Sequence, residues 1–156
     1  MEGAIKKQDL LKVSEVELFY RSKIKASERP QVSSTKDAYS IFIQTWDDGK
    51  IELIEQFKVL FLNRRHKVLG LFEVSSGGIA ETVVDPKLVF SAALKAAACY
   101  IIAAHCHPSG DLLPSLADKK LTSKLKQAGQ LLDLILLDHI ILSKYGYYSF
   151  ADSGEL

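Results

Sequence analysis

Residues 85–118, DPKLVFSAALKAAACYIIAAHCHPSGDLLPSLAD, contain the signals that decide the fold. Asp85 followed by Pro86 is typical of a helix start, because the first helical turn leaves its amide hydrogens unpaired and proline lacks one. The run CYIIAAH is apolar on both faces, which predicts a central buried strand. Two prolines and a glycine interrupt the next segment, which predicts a loop. A second helix is expected from Ser115 to near Gly129.

The segments on either side of this stretch predict further helices and strands. Helices are predicted for SEVELFYRSKI, in which Ser14 and Glu17 have capping-box spacing, and for TKDAYSIFIQTW. FKVLFLN and KVLGLFEV predict a hairpin through RRH, and IAETVV predicts a third strand. LLDLILLDHIILS predicts one or two strands, and YGYYSFA a closing hairpin. Because strands and helices alternate, the sequence predicts an α/β or α+β fold built on a layered sheet.

The length and composition are those of a globular domain. The chain has 156 residues, of which 47% are apolar and 25% charged. A chain of this size buries about 70% of its unfolded surface, so it can fold without disulfides. The first fifty residues are more polar than the rest. We therefore predict an N-terminal helical extension over residues 1–50 and the main body of the fold over residues 51–156.

Charge and hydropathy exclude several classes of protein. Twenty basic and nineteen acidic residues leave a net charge of +1, so the overall charge does not indicate a nucleic-acid-binding protein. MEGAIKKQDL lacks the apolar stretch of a signal peptide, and no tract reaches the roughly 20 apolar residues of a membrane span. Two cysteines, Cys99 and Cys106, do not suggest a secreted disulfide framework. We expect a cytoplasmic protein without a membrane partner.

Two of the four histidines lie at the end of the predicted central strand. In extended backbone residues i and i+2 point to the same side, so His105 and His107 can face one point. Asp118 lies eleven residues beyond His107, and the loop between them can bring its carboxylate back. Two imidazoles and a carboxylate are typical of a catalytic zinc site, whose fourth position is open to water. Zinc lowers the pKa of that water to about 7 and polarises a carbonyl oxygen.

Each residue near this group has more than one interpretation. Ser115 lies one helical turn before Asp118, so its hydroxyl can reach the same cavity and stabilise an oxyanion. The same Ser-x-x-Asp spacing is also close to a capping box, and a histidine pair can occur in a polar turn without a metal. Cys106 is an alternative nucleophile or thiolate ligand, although its side chain should point away from both histidines. His66 is expected to be solvated, and His139 to be a hydrogen-bonded core residue.

The pattern His105-x-His107-Pro108, six residues, Ser115-x-x-Asp118 resembles the JAMM (MPN+) metalloprotease motif, H-x-H-P-x6-S-x-x-D. HCHPSGDLLPSLADKKLT is similar to the RadC-family signature HNHPSG-x-x-x-PS-x-x-D-x-x-LT, and EQFKVLFLNRRHKVLG, LLDHIIL and GYYSFADSG resemble other segments of that family. The resemblance covers roughly residues 52–156. It implies that residues 51–156 form a JAB/MPN-type domain, a mixed sheet with helices on both faces akin to cytidine deaminases.

The resemblance also implies an activity and a set of site residues. The family motif contains a glutamate that enters the first core strand and acts as general acid and base. Glu55 best matches that position, and Glu52 is the rival. The implied protein is a zinc-dependent hydrolase of amide bonds in a peptide or protein substrate, and its further site residues are Ser115 for the oxyanion and His105, His107 and Asp118 for zinc.

A non-catalytic module is the alternative function. Many RadC relatives have an N-terminal helix-hairpin-helix region, which suggests DNA contact, but the first fifty residues here do not show that pattern. Residues 1–30 contain seven basic against five acidic residues, a weak basic bias for binding DNA or a recombination partner. Such binding should weaken steeply with salt. The family's usual Asn between the two histidines is Cys106 here, and the sequence predicts no oligomeric state.

Overall fold

A computed structural model describes residues 14–79 and 82–156. After a short 3-10 turn at Ala26–Glu28, the described residues form three helices and five strands. The helices are α1 (Thr35–Thr45), α2 (Pro86–Lys95) and α3 (Leu116–Leu131), and the strands are β1 (Gln56–Leu62), β2 (Val68–Ser76), β3 (Tyr100–Cys106), β4 (Ile135–Ser143) and β5 (Gly146–Ser149).

The five strands form one mixed sheet in the order β2-β1-β3-β4-β5. β3 is central, antiparallel to β1 and parallel to β4, and its parallel connection runs through α3, as parallel pairs require a long crossover. Phe57 at the start of β1 pairs with His105 near the end of β3. The segment that enters β1 and the segment that leaves β3 therefore lie at the same edge of the sheet.

Helices cover both faces of the sheet, which confirms the predicted mixed sheet with helices on both sides. Ile102, Ala104 and Cys106 of β3 face the core that includes Phe42 of α1. Alternate residues of the same strand pack into the core on the opposite face, which includes residues of α2 and α3. The two-residue periodicity of β3 therefore assigns His105 to the α3 face.

Local sequence signals account for the helix starts. The side chain of Asp85 accepts a hydrogen bond from the Lys87 amide at 2.9 Å, with Pro86 in the first turn of α2 as predicted. α3 begins after Ser115, also as predicted, but it continues to Leu131 rather than ending near Gly129.

Two predicted elements are not formed in the described residues. SEVELFYRSKI is not helical, because Val16 and Leu18 are 88% and 85% exposed and a short helix without a packing surface is marginal. IAETVV is not a strand at residues 79 and 82–84, and its other two residues lie outside the described range. Thr82 of this segment contacts β2 through a 2.9 Å hydrogen bond from its Oγ1 to Ser75 Oγ.

Helix α1 packs on the sheet through the fully buried side chains of Ala38 and Phe42. The division of the chain into residues 1–50 and 51–156 stays a prediction. Within the described ranges, the helices are too short or too polar to cross a lipid bilayer.

Candidate metal centre

Three side chains with metal-ligating atoms converge at the edge of the sheet where β3 ends. Ligand atoms of His105, His107 and Asp118 all lie within 4.8 Å of one another. Nε2 of His105 is 3.0 Å from Nε2 of His107 and 3.1 Å from Oδ1 of Asp118, and Nε2 of His107 is 3.6 Å from Oδ2 of Asp118. Tetrahedral ligands at 2.0–2.2 Å from a zinc ion lie roughly 3.4 Å apart. The three side chains therefore fit a metal ion.

Each of these side chains comes from a different part of the fold. His105 belongs to β3 and is only 3% exposed, with its ring stacked on Phe57 at 6.0 Å. His107 is the first residue of the loop after β3, and Asp118 lies in the first turn of α3. Pro108 follows directly and cannot continue the strand's hydrogen bonding, so the chain turns away at the edge of the site.

Asp118 is held by the start of α3. Its Oδ2 accepts a hydrogen bond from the Ser115 amide at 2.7 Å, and its own amide donates to Ser115 Oγ at 3.1 Å. This is the capping box that the spacing allowed. Burial opposes ionisation of Asp118, but the hydrogen bond from His105 and the neighbouring ring of His107 outweigh it and hold the pKa of this carboxyl well below its usual range. The carboxylate is therefore a charged ligand.

His107 is oriented by the loop that follows it. Its Nδ1 lies 2.6 Å from the backbone oxygen of Asp111, and a carbonyl can only accept, so Nδ1 carries the hydrogen. Nε2 then faces Asp118. The Asp118 carboxylate, 3.6 Å from Nε2, raises the pKa of His107 above its ordinary value, with burial acting in the opposite direction. Since metal ligands must be deprotonated, a bound metal would replace this proton.

His105 is oriented by buried side chains behind it. Its Nδ1 is 2.8 Å from Nε2 of His139 in β4, and Nδ1 of His139 is 2.6 Å from Oγ1 of Thr122 in α3. The prediction that His139 is a hydrogen-bonded core residue is confirmed. Sequence reasoning missed Thr122 and the contact of His139 with the site. The available signal was the position of Thr122 one helical turn after Asp118.

Cys106 faces away from the candidate ligands, as the strand alternation predicts. It is fully buried in the core on the α1 side, and its thiol donates to the backbone oxygen of Ile54 at 3.3 Å. Burial raises the pKa of the Cys106 thiol. A thiol that is buried, protonated and on the opposite face cannot serve this site as a nucleophile or a ligand.

A cavity of about 850 Å³ opens next to the candidate ligands, and its lining includes Glu55, Ser115, His107 and Asp118. Glu55 immediately precedes β1, where its backbone pairs with Gly77 and Gly78 at 2.9 and 3.0 Å. Burial raises the pKa of Glu55, and the nearby histidines oppose this increase. The structure therefore brings Glu55 and Ser115 to the same cavity as the candidate ligands.

Glu52, the rival to Glu55, also lines this cavity. It is exposed, and its carboxylate lies 3.6 Å from the Nζ atom of Lys144. His66 is not part of the group. It was expected to be solvated, but it is half-buried and packs edge-on against Tyr100 at 4.7 Å.

A five-stranded mixed sheet covered by helices on both faces, with a His-His-Asp group at the end of its central strand, defines a JAB-type domain. The sequence model described as the RadC-like JAB domain matches residues 32–155, and the chain belongs to this family.

The curated relatives carry the name UPF0758 protein. The chain is 46% identical over 124 residues to the one from Flavobacterium johnsoniae, an alignment that covers 80% of this chain and 53% of the relative. It is 36% identical over 142 residues to the one from Chlorobium phaeovibrioides (90% of this chain, 61% of the relative) and 41% identical over 102 residues to the one from Thermotoga maritima (65% and 46%). The chain spans about half the length of the curated relatives it matches.

Proposed function

We propose that this chain is a zinc-dependent hydrolase of amide bonds, a peptidase or isopeptidase of the JAMM type. The observation that carries the proposal is the convergence of His105, His107 and Asp118 beside an open cavity that Glu55 also lines. When bound by these three residues, zinc supplies a Lewis acid that polarises the substrate carbonyl and lowers the pKa of a water molecule.

Glu55 is proposed as the general acid and base. Burial raises its pKa above the ordinary value of a glutamate, although the neighbouring histidines oppose this, and a raised pKa suits a carboxylate that must accept a proton and return it. Its carboxylate takes a proton from the attacking water and returns that proton to the leaving amine. Glu52 is less suited to this role because it is exposed and lies beside Lys144.

Ser115 is proposed to stabilise the oxyanion of the tetrahedral intermediate. Its Oγ accepts a hydrogen bond from the Asp118 amide through a lone pair, so the hydroxyl hydrogen stays free to donate. Because Ser115 lines the cavity, that hydrogen can reach a bound substrate. Helix capping and oxyanion stabilisation are thus compatible in one hydroxyl group.

A peptide or protein substrate is supported by the shape and lining of the cavity. It is open, and Ile79, Val84, Leu113 and Leu121 add apolar surface beside the candidate ligands. Ligand sites are typically concave and mainly apolar, with a few polar groups that fix the orientation of the ligand. We also propose a cytoplasmic location, since Cys99 and Cys106 are both free thiols.

Cleavage of defined substrates tests this proposal. The chain is stripped with a chelator, reloaded with zinc, and incubated with a peptide library and with isopeptide-linked peptides, and the products are identified by mass spectrometry. We expect cleavage that needs zinc and that disappears in His107→Ala, which should also lose the metal. A zinc-loaded chain that cleaves none of these substrates would contradict the proposal.

A second candidate function is binding of DNA without catalysis, and the turn between β1 and β2 favours it. Arg64 and Arg65 are exposed there, and Lys67 of the same turn pairs with Gln31. Filter binding of duplex DNA at increasing salt tests this function, with Arg64→Gln/Arg65→Gln as the matched variant. Binding that weakens with salt and with the variant supports this candidate, whereas no binding at low salt excludes it.

A further inference from the structure

A buried hydrogen-bond chain begins at α3, behind the candidate ligands. Oγ1 of Thr122 is 2.7 Å from the backbone oxygen of Asp118 and 2.6 Å from Nδ1 of His139. The Asp118 carbonyl can only accept, so it takes the single hydroxyl hydrogen of Thr122. The Thr122 oxygen must then accept at its other contact. Nδ1 of His139 therefore carries a hydrogen.

The hydrogen on Nδ1 of His139 determines which nitrogen of His105 donates a hydrogen bond. Its ring is fully buried between Phe57 and Phe150, with centroids at 5.4 and 5.0 Å, and its two nitrogens contact Thr122 and His105. No carboxylate is among these contacts, and a charged ring buried without one is unfavourable. A neutral ring with hydrogen on Nδ1 has a bare Nε2. That atom accepts from Nδ1 of His105 at 2.8 Å. Nε2 of His105, which lies 3.1 Å from Asp118, is then the nitrogen whose lone pair can bind a metal ion, and the ion would replace the hydrogen that Nε2 shares with Asp118.

We propose that Thr122 and His139 are positioning residues that hold His105 in the only tautomer able to bind a metal through Nε2. This inference rests on the metal centre of the proposed function and deepens it. A histidine can donate or accept through either nitrogen, so His139 alone does not fix the tautomer of His105. The hydroxyl of Thr122 donates to the Asp118 carbonyl of the helix, so it must accept from His139. This bond determines which atoms donate and which accept along the series of hydrogen bonds.

The two candidate histidine ligands are thus fixed by different means. His107 donates to the Asp111 carbonyl, which accepts whatever else changes nearby. The tautomer of His105 depends on Thr122, which His105 contacts only through His139. Without the Thr122 hydroxyl, His139 can move its hydrogen to Nε2 and donate to His105, whose own hydrogen then occupies the Nε2 atom that should bind the metal.

Zinc affinity of matched Thr122 variants tests the inference. Thr122→Val removes the hydroxyl at nearly constant volume, and Thr122→Ser keeps it. We expect zinc to bind Thr122→Val about 10–100-fold more weakly, as is typical when an outer partner of a metal ligand is lost. Thr122→Ser should retain the affinity of the parent chain. The measurement is competition with a chromophoric chelator, and thermal unfolding of the metal-free variants shows that each is folded.

Two results would overturn this role for Thr122: parent-like affinity in Thr122→Val, or an equal loss in Thr122→Ser. A parent chain that binds no zinc contradicts the proposed function instead.

Discussion

The carboxylate of Asp118 accepts a hydrogen bond from the amide of Ser115 at 2.7 Å through one oxygen, and its other oxygen lies 3.1 Å from Nε2 of His105. One side chain therefore both starts α3 and faces the candidate metal centre. The reciprocal bond from the Asp118 amide to the Ser115 hydroxyl makes this orientation a local property of the helix start.

Substitution of Ser115 separates its capping role from its proposed role in catalysis. Alanine at an N-cap costs about 0.5–2 kcal/mol, whereas glycine costs only a few tenths. We expect Ser115→Ala to lower the free energy of unfolding clearly more than Ser115→Gly does, as measured by urea unfolding. Both variants lack the hydroxyl, so both should lose about 10²–10³-fold in hydrolysis, as expected for one oxyanion donor. Full activity in Ser115→Gly would rule out the catalytic role.

Glu55 and Glu52 are distinguished by paired substitutions to glutamine. Glu55→Gln should keep its zinc and lose about 10²–10⁴-fold in hydrolysis, because the amide cannot take up a proton. Glu52→Gln should keep most activity, since this exposed side chain lies beside Lys144. Zinc content and turnover are measured on the same samples. The reverse pattern of activity loss would transfer the role of general base to Glu52.

Cys106 occupies the position where the RadC signature has asparagine, and its surroundings explain why asparagine should be accepted. Nε1 of Trp46, in the same buried cluster, has no hydrogen-bond partner among the residues that the structure describes, and the backbone oxygen of Ile54 accepts from the thiol. An asparagine amide offers an acceptor and a donor for these two groups. We expect Cys106→Asn to match the parent in urea unfolding and Cys106→Ala to lose about 1–3 kcal/mol. An asparagine variant less stable than the alanine variant would contradict this.

Gly129 in the last turns of α3 has no room for a side chain. A Cβ atom there would lie 2.1 Å from the backbone oxygen of Leu134. Gly129→Ala should therefore destabilise the chain by about 1–3 kcal/mol, as overpacking does, even though alanine favours helix by up to about 1 kcal/mol. Gly70 in β2 is the matched control, because a Cβ there meets no atom of the described residues within 4 Å. Equal thermal unfolding of the two alanine variants would disprove the steric explanation.

Local signals explain why much of the fold could be predicted from the sequence. Asp85 and Pro86 mark the start of α2, and the two-residue alternation of β3 correctly predicted that Cys106 points away from the histidines. The predicted helix near Ser14 failed because capping spacing does not supply a surface on which Val16 and the other apolar side chains can pack.

Only those residues of the candidate site that lie close together in the sequence could be predicted. His105 and His107 share one side of a strand end, and the following loop returns the chain to Asp118. Thr122 and His139 were missed as part of the site. The contact of His139 with His105 is set by the parallel register of β3 and β4, in which Ala103 pairs with His139. That register depends on how α3 crosses between the strands, which no local pattern specifies.

X-ray absorption at the zinc edge, on zinc-loaded chain, tests the central claim most directly. The account predicts one zinc ion per chain with two imidazole nitrogens and oxygen ligands at about 2.0–2.2 Å, and no bound zinc in His107→Ala. A sulfur ligand at about 2.3 Å, the distance expected for the thiolate of Cys99 or Cys106, would contradict it. So would a folded parent chain that retains no zinc.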